Sequence, residues 1–108
     1  GIARVAWVWL GLAGLLEIGW AVGLKLSEGF SRLWPSVLTV VAMAASIGLL
    51  SLALRSLPVG TAYAVWTGIG AVGTAAFGML VLGEPATALK IGGVALIAAG
   101  IAMLKLSA

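Results

Sequence analysis

The sequence predicts an all-α membrane protein of four transmembrane helices, and three observations carry that fold class. Of its 108 residues, 63% are hydrophobic and 8% charged, and a mean hydropathy of +1.25 lies far outside the range of soluble domains. The uncharged stretches from Trp34 to Leu54 and from Val59 to Leu82 are each long enough to cross a hydrocarbon core of about 30 Å. Short segments rich in polar residues, Pro and Gly interrupt the apolar runs at three places. The four spans are expected at about 3–25, 34–54, 60–82 and 86–106, within a single domain over 1–108.

The first span rests on the apolar run from Val5 to Leu24, broken only by Glu17. Arg4 ahead of that run resembles the start of a signal peptide, yet the run is about membrane length and lacks a clear small-residue cleavage site, so it should remain as a helix. A start at Gly1 without methionine implies that a residue or more precedes it. Lys25 to Leu33 supplies Ser27, Glu28, Gly29, Ser31 and Arg32 as a polar turn, with Pro35 near the first turn of the second span. Arg55, Ser56, Pro58 and Gly60 punctuate the second connection, and Gly83, Glu84 and Pro85 the third. Connections this short should make sequential helices antiparallel neighbours. The uncharged run from Ile91 to Leu104 is short for a span, but Lys90 and Lys105 can bury their stems and lift their ammonium groups to opposite faces, extending the fourth helix to roughly 86–106.

Cysteine and histidine are absent and only three residues are acidic, which removes thiol chemistry and disulfides and leaves no set of ligands for a metal. No cofactor is expected. The net charge of +3 comes from Arg4, Lys25, Arg32, Arg55, Lys90 and Lys105, spread singly along the chain, so there is no basic patch for nucleic acid. With four spans these six fall three on each side of the membrane, and no Lys/Arg bias fixes the orientation. The chain is therefore expected to insert both ways round and to pair as an antiparallel homodimer, a route to inverted-repeat architecture without gene fusion. The plainer reading is that the balance is accidental, or that a further terminal segment breaks it. Four helices are also too few to surround a hydrated passage, which favours an oligomer.

Glu17 lies roughly 4 Å along the helix axis from the midpoint of its run. Insertion scales put an acidic residue near a helix centre at about 2.5 to 3.5 kcal/mol, so the group should hold a proton or a cation rather than stand bare and ionised. Trp20 follows one turn later and Gly14 precedes it by one turn on the same face. The glycine leaves room for a ligand or a neighbouring helix, and the indole either faces the carboxylate or anchors the helix at the interface. Ser46, near the middle of the second span, matches Glu17 in depth. Its hydroxyl can bond its own backbone or a group on a neighbouring helix, where donation to the carboxylate would orient it.

Tyr63 and Trp66 share a face of the third span and offer donors and π faces suited to an organic cation, or else form a packing pair. Gly68 and Gly70 follow, either for close packing or as a kink. Gly93 and Gly100, seven apart on the fourth span, read as a helix contact surface for dimerisation. Trp7, Trp9 and Trp34 lie near predicted helix ends and are expected to be interfacial anchors without a site role.

Through its four short spans, Glu17 and the Ala62-Tyr63-Ala64-Val65-Trp66 segment, the chain resembles the small multidrug resistance family over nearly its whole length. Glu17-Ile18-Gly19-Trp20, together with the segment from Pro58 to Gly70, looks like the guanidinium-exporter subtype, Trp20 being the sharper discriminator from the quaternary-ammonium subtype. The resemblance implies a dual-topology antiparallel homodimer in a bacterial inner membrane that exchanges protons for guanidinium ions and is not an enzyme. It implies that two Glu17 carboxylates form the shared site, oriented by Ser46 and Trp20, with Tyr63 and Trp66 lining the pocket and Gly14 making room. It makes Gly68 to Gly70 the kink and Gly93 with Gly100 the dimer seam, and leaves the role of Lys105 open. The alternatives are a broader exporter of quaternary ammonium or hydrophobic cations, a passive channel subunit, and a structural subunit in which Glu17 only holds helices together.

Overall fold

A computed structural model describes residues 2–107 and contains four helices: α1 (Ile2–Leu26), α2 (Leu33–Ala53), α3 (Val59–Leu80) and α4 (Ala88–Ser107). All four are long and apolar enough to cross a membrane. Each boundary lies within about two residues of the expected one, and local chemistry explains where the ends fall. Pro58, extended at φ −61° and ψ 141°, caps α3. At its other end Glu84 N–H donates to Gly78 O at 3.0 Å, and Gly83 takes φ 73°, a left-handed stop that a side chain would strain. α4 begins two residues later than expected because Thr87 caps it, its hydroxyl accepting from Lys90 N–H at 3.2 Å.

The α1–α2 turn is tight, with Glu28, Gly29 and Phe30 all at positive φ (48°, 72° and 64°). Two of these are not glycine, so the turn needs outside support. Fully buried Ser27 supplies it, donating to Leu24 O at 2.8 Å and accepting from Phe30 N–H at 3.1 Å. The Arg32–Glu28 pair across the turn, at 3.8 Å and largely exposed, contributes little.

Short connections did not make every pair of sequential helices neighbours. α1 lies between α2 and α3, which scarcely touch each other, and α4 packs on α3. The reason is the fit of α1 to α3. A Cβ on Gly14 would stand 2.6 Å from Ile69 Cγ2, Gly70 lies against Glu17, and Gly73 lies against Ile18. Glycines alternate with large side chains across this seam, so the two backbones approach closely. On the opposite flank Gly23 of α1 receives Thr39 of α2. Ala6, Leu10 and Ala13 of α1 then form one core with Leu50, Ala53, Val65 and Trp66.

The molecule measures 41 × 35 × 17 Å. Its thickness is less than two helix diameters of about 10–12 Å, so a single chain cannot wrap a passage of its own. No residue of α4 is fully buried, which leaves that helix with broad apolar surface towards its surroundings.

Candidate functional site

Glu17 projects from α1 onto the backbone of α3 at Gly70, where any Cβ would run into its carboxylate. Among the described residues no hydrogen bond reaches this carboxylate, and its Oε1 is buried without a partner. Both salt bridges of the described residues lie elsewhere, at Arg32–Glu28 and Lys90–Glu84. A carboxylate so placed has open acceptor positions and no Lys or Arg partner among the described residues.

Ser46 is fully buried, yet its hydroxyl does not turn to Glu17. It donates to Ala13 O at 2.6 Å and accepts from Trp66 Nε1–H at 3.0 Å. Of the two bonds considered from the sequence, the one to its own backbone is not formed and the one to a neighbouring helix is, with partners on α1 and α3 other than the carboxylate. Within α1 the Ala13 carbonyl is also the i−4 acceptor of the Glu17 amide. The chain Trp66–Ser46–Ala13 therefore ties α3 and α2 to the turn of backbone that carries Glu17, and fixes the stem of that residue rather than its tip. Ser46→Ala should leave the buried Trp66 N–H unpaired and lower stability by about 1 to 3 kcal/mol. Thermal unfolding of the detergent-solubilised protein by tryptophan fluorescence measures it, and no change in midpoint would mean that the chain bears no load.

Gly14 makes room for a neighbouring helix, since Ile69 fills the space beside it, rather than for a ligand. Trp20 is partly buried against the core, with Nε1 buried and unpartnered. Tyr63 and Trp66 do form a ring pair, 5.5 Å between centroids and tilted by 54°. They differ in exposure: Trp66 is 8% exposed and committed to Ser46, whereas Tyr63 is 55% exposed and presents its ring outward.

Gly68 and Gly70 sit at close contacts, with Ile101 of α4 and Glu17 of α1 respectively, and α3 is helical without a break through both. Gly93 is exposed and Gly100 partly so, and a Cβ at either would meet nothing within 4 Å. Trp34 is exposed as an anchor would be, but Trp7 and Trp9 pack partly against the core. Lys105, whose role the sequence left open, holds its ammonium 4.6 Å from the centre of the Trp7 ring, a cation–π contact joining the end of α4 to the start of α1.

Sequence reasoning passed over Thr74. It lies one turn beyond Gly70, in the stripe that runs through Tyr63, Trp66 and Gly70, and its Oγ1 is buried without a partner. The available signal was that no other polar side chain falls in the second half of the third span.

The chain matches the family described as Small Multidrug Resistance protein over residues 5–97. Among similar proteins are the guanidinium exporter of Yersinia pseudotuberculosis serotype I, 62% identical over 95% of this chain and 99% of its own length; that of Escherichia coli K12, 60% identical over 95% and 98%; and that of Salmonella typhimurium, 59% identical over 96% and 99%. With four membrane-length helices and a family match spanning most of its length, the chain belongs to the small multidrug resistance family, as a multi-pass membrane protein.

Proposed function

We propose that the protein is a proton-coupled antiporter that exports guanidinium and small substituted guanidines across a bacterial inner membrane. It works as an antiparallel homodimer in which the Glu17 carboxylates of both protomers bind protons and substrate in exchange. The observation that carries this reading is the Glu17 carboxylate at membrane depth, which no donor or cation among the described residues satisfies. Relatives at about 60% identity that are named guanidinium exporters support the choice of cation.

A guanidinium ion is planar and presents paired N–H donors, which a carboxylate accepts in the bidentate geometry of Arg–carboxylate pairs. Proton and cation then compete for the same oxygens. Protonation on one side expels the cation, deprotonation on the other readmits it, and occupancy lets the dimer switch the side to which it opens. In this reading Trp20 and Tyr63 shape the pocket, and the exposure of the Tyr63 ring and the unpartnered Trp20 N–H support those roles. The unfilled Gly93 and Gly100 surface of α4 is offered to a second copy, and the thinness of one chain makes that copy necessary to enclose the site.

Capacitive currents from reconstituted protein on a solid-supported membrane test the function. Guanidinium is expected to evoke proton-coupled current and tetramethylammonium little, because the latter has no N–H to donate. A response to tetramethylammonium alone would overturn the substrate assignment. The antiparallel arrangement has its own check: two arginines added at the N-terminal end should bias insertion one way and lower activity, and co-expression with a variant biased the opposite way should restore it.

A further inference from the structure

A cleft of about 340 Å³ opens between the second halves of α1 and α3. Ala21 and Lys25 line it on one wall and Thr74, Ala75 and Gly78 on the other, while Glu84 and Lys90 stand at its rim, paired at 3.4 Å. Its inner end is one turn from the Glu17–Gly70 contact, since Ala21 follows Glu17 by four residues and Thr74 follows Gly70 by four. The α3 wall is small at Ala71, Ala75 and Gly78, which holds the space open; Val22 and Leu82 add apolar surface, and Thr74 is the uncharged polar side chain of the lining.

The Thr74 hydroxyl is the one among the described residues that is buried and has no hydrogen-bond partner. Thr39 donates to Pro35 O at 2.6 Å and Ser36 to Arg32 O, the usual bond to the carbonyl one turn back. Thr74 makes no such bond, and its Oγ1 is buried unpartnered beside the cleft. A buried hydroxyl without a protein partner, on a side chain that lines a space with room for several waters, reaches that space by a rotation about χ1.

We propose that this cleft is a hydrated branch by which protons reach and leave Glu17, with Thr74 as the relaying hydroxyl, a role that rests on the proton-coupled reading above. In one step Thr74 Oγ takes a proton from water on the rim side and releases its own to water on the Glu17 side. One proton advances, the hydroxyl is regenerated, and no other reactant is consumed. Guanidinium does not need this route. Lys90 and Glu84 offset each other, so Lys25 leaves the cleft as a whole with one net positive charge, which opposes entry of an organic cation.

The chain contains no cysteine, so single cysteines report accessibility without background. In the otherwise unaltered protein in lipid vesicles, Thr74→Cys is expected to react with a water-soluble methanethiosulfonate at least about tenfold faster than Leu96→Cys on the exposed apolar surface of α4, and with the anionic reagent faster than the cationic one. This comparison needs neither guanidinium nor transport, so it stands or fails separately from the assigned substrate. Equal rates at the two positions would overturn the hydrated branch. The relay is read from Thr74→Val and Thr74→Ser. Valine should slow proton-coupled flux several-fold with guanidinium affinity unchanged, while serine keeps the wild-type rate. Valine and serine variants of equal rate, or a valine variant that loses affinity instead of rate, would overturn the relay.

Discussion

Glu17→Gln is expected to abolish proton-coupled guanidinium flux in reconstituted vesicles while the variant still inserts and elutes as the wild type does. The amide is nearly the size of the carboxylate and breaks no existing bond, because no hydrogen bond reaches Glu17 and its Oε1 is already unpartnered. The fold has little to lose there. Binding has much to lose, since removing one partner of a buried charge-assisted pair costs about 2 to 5 kcal/mol, roughly 30-fold or more in affinity. Coupling disappears as well, because an amide takes up no proton in this range. In the wild type, one proton displacing one cation makes the apparent affinity for guanidinium fall about tenfold per pH unit once the site is mostly protonated. The variant's residual affinity should not depend on pH. A Glu17→Gln protein with full flux would support instead a carboxylate that only holds helices together.

The sequence made the spans and the anomalous carboxylate visible for one physical reason: in hydrocarbon every charge is expensive, so hydropathy is read almost directly as structure. The partners of that carboxylate obeyed a different rule. Glu17 rests on Gly70, and Ser46 joins Trp66 to Ala13, through contacts between helices far apart in the chain. They depend on α1 lying between α2 and α3, an order that short loops and a balanced charge count leave open. Ser46 was therefore legible as a polar group at the right depth, but not as one that anchors backbone. Thr74 was overlooked because a threonine among alanines and glycines reads as filler until its missing bond to the preceding turn is seen. Gly14, Gly68 and Gly70 were recognisable as meaningful glycines, and only the side chains opposite them distinguish packing from room for a ligand.

Gly70→Ala is expected to lower guanidinium flux by roughly two orders of magnitude, the scale on which a 1 Å misplacement of a reacting group is felt, with a far smaller effect on stability. The atoms nearest to the new Cβ are Cδ, Oε2 and Cγ of Glu17, all in a long side chain that can move without separating α1 from α3. Overpacking of about 1 to 3 kcal/mol is partly offset by the better helix propensity of alanine, about 0.8 to 1.0 kcal/mol over glycine. Gly48→Ala, with nothing within 4 Å in the middle of α2, should leave flux unchanged and raise the melting temperature slightly through the same propensity gain. Gly68→Ala meets Ile101 Cγ1 of α4 at 2.9 Å and should disturb the α3–α4 contact without touching Glu17. A second substitution separates the contact from a kink at the same glycine. Glu17→Asp shortens the side chain by one methylene and withdraws the carboxylate from the added methyl, so combined with Gly70→Ala it should recover part of the flux that Gly70→Ala alone loses. If α3 must bend at Gly70, shortening Glu17 relieves nothing, the two losses multiply and the double variant is slower than either single; measured flux in the two singles and the double, treated as a mutant cycle, decides between them.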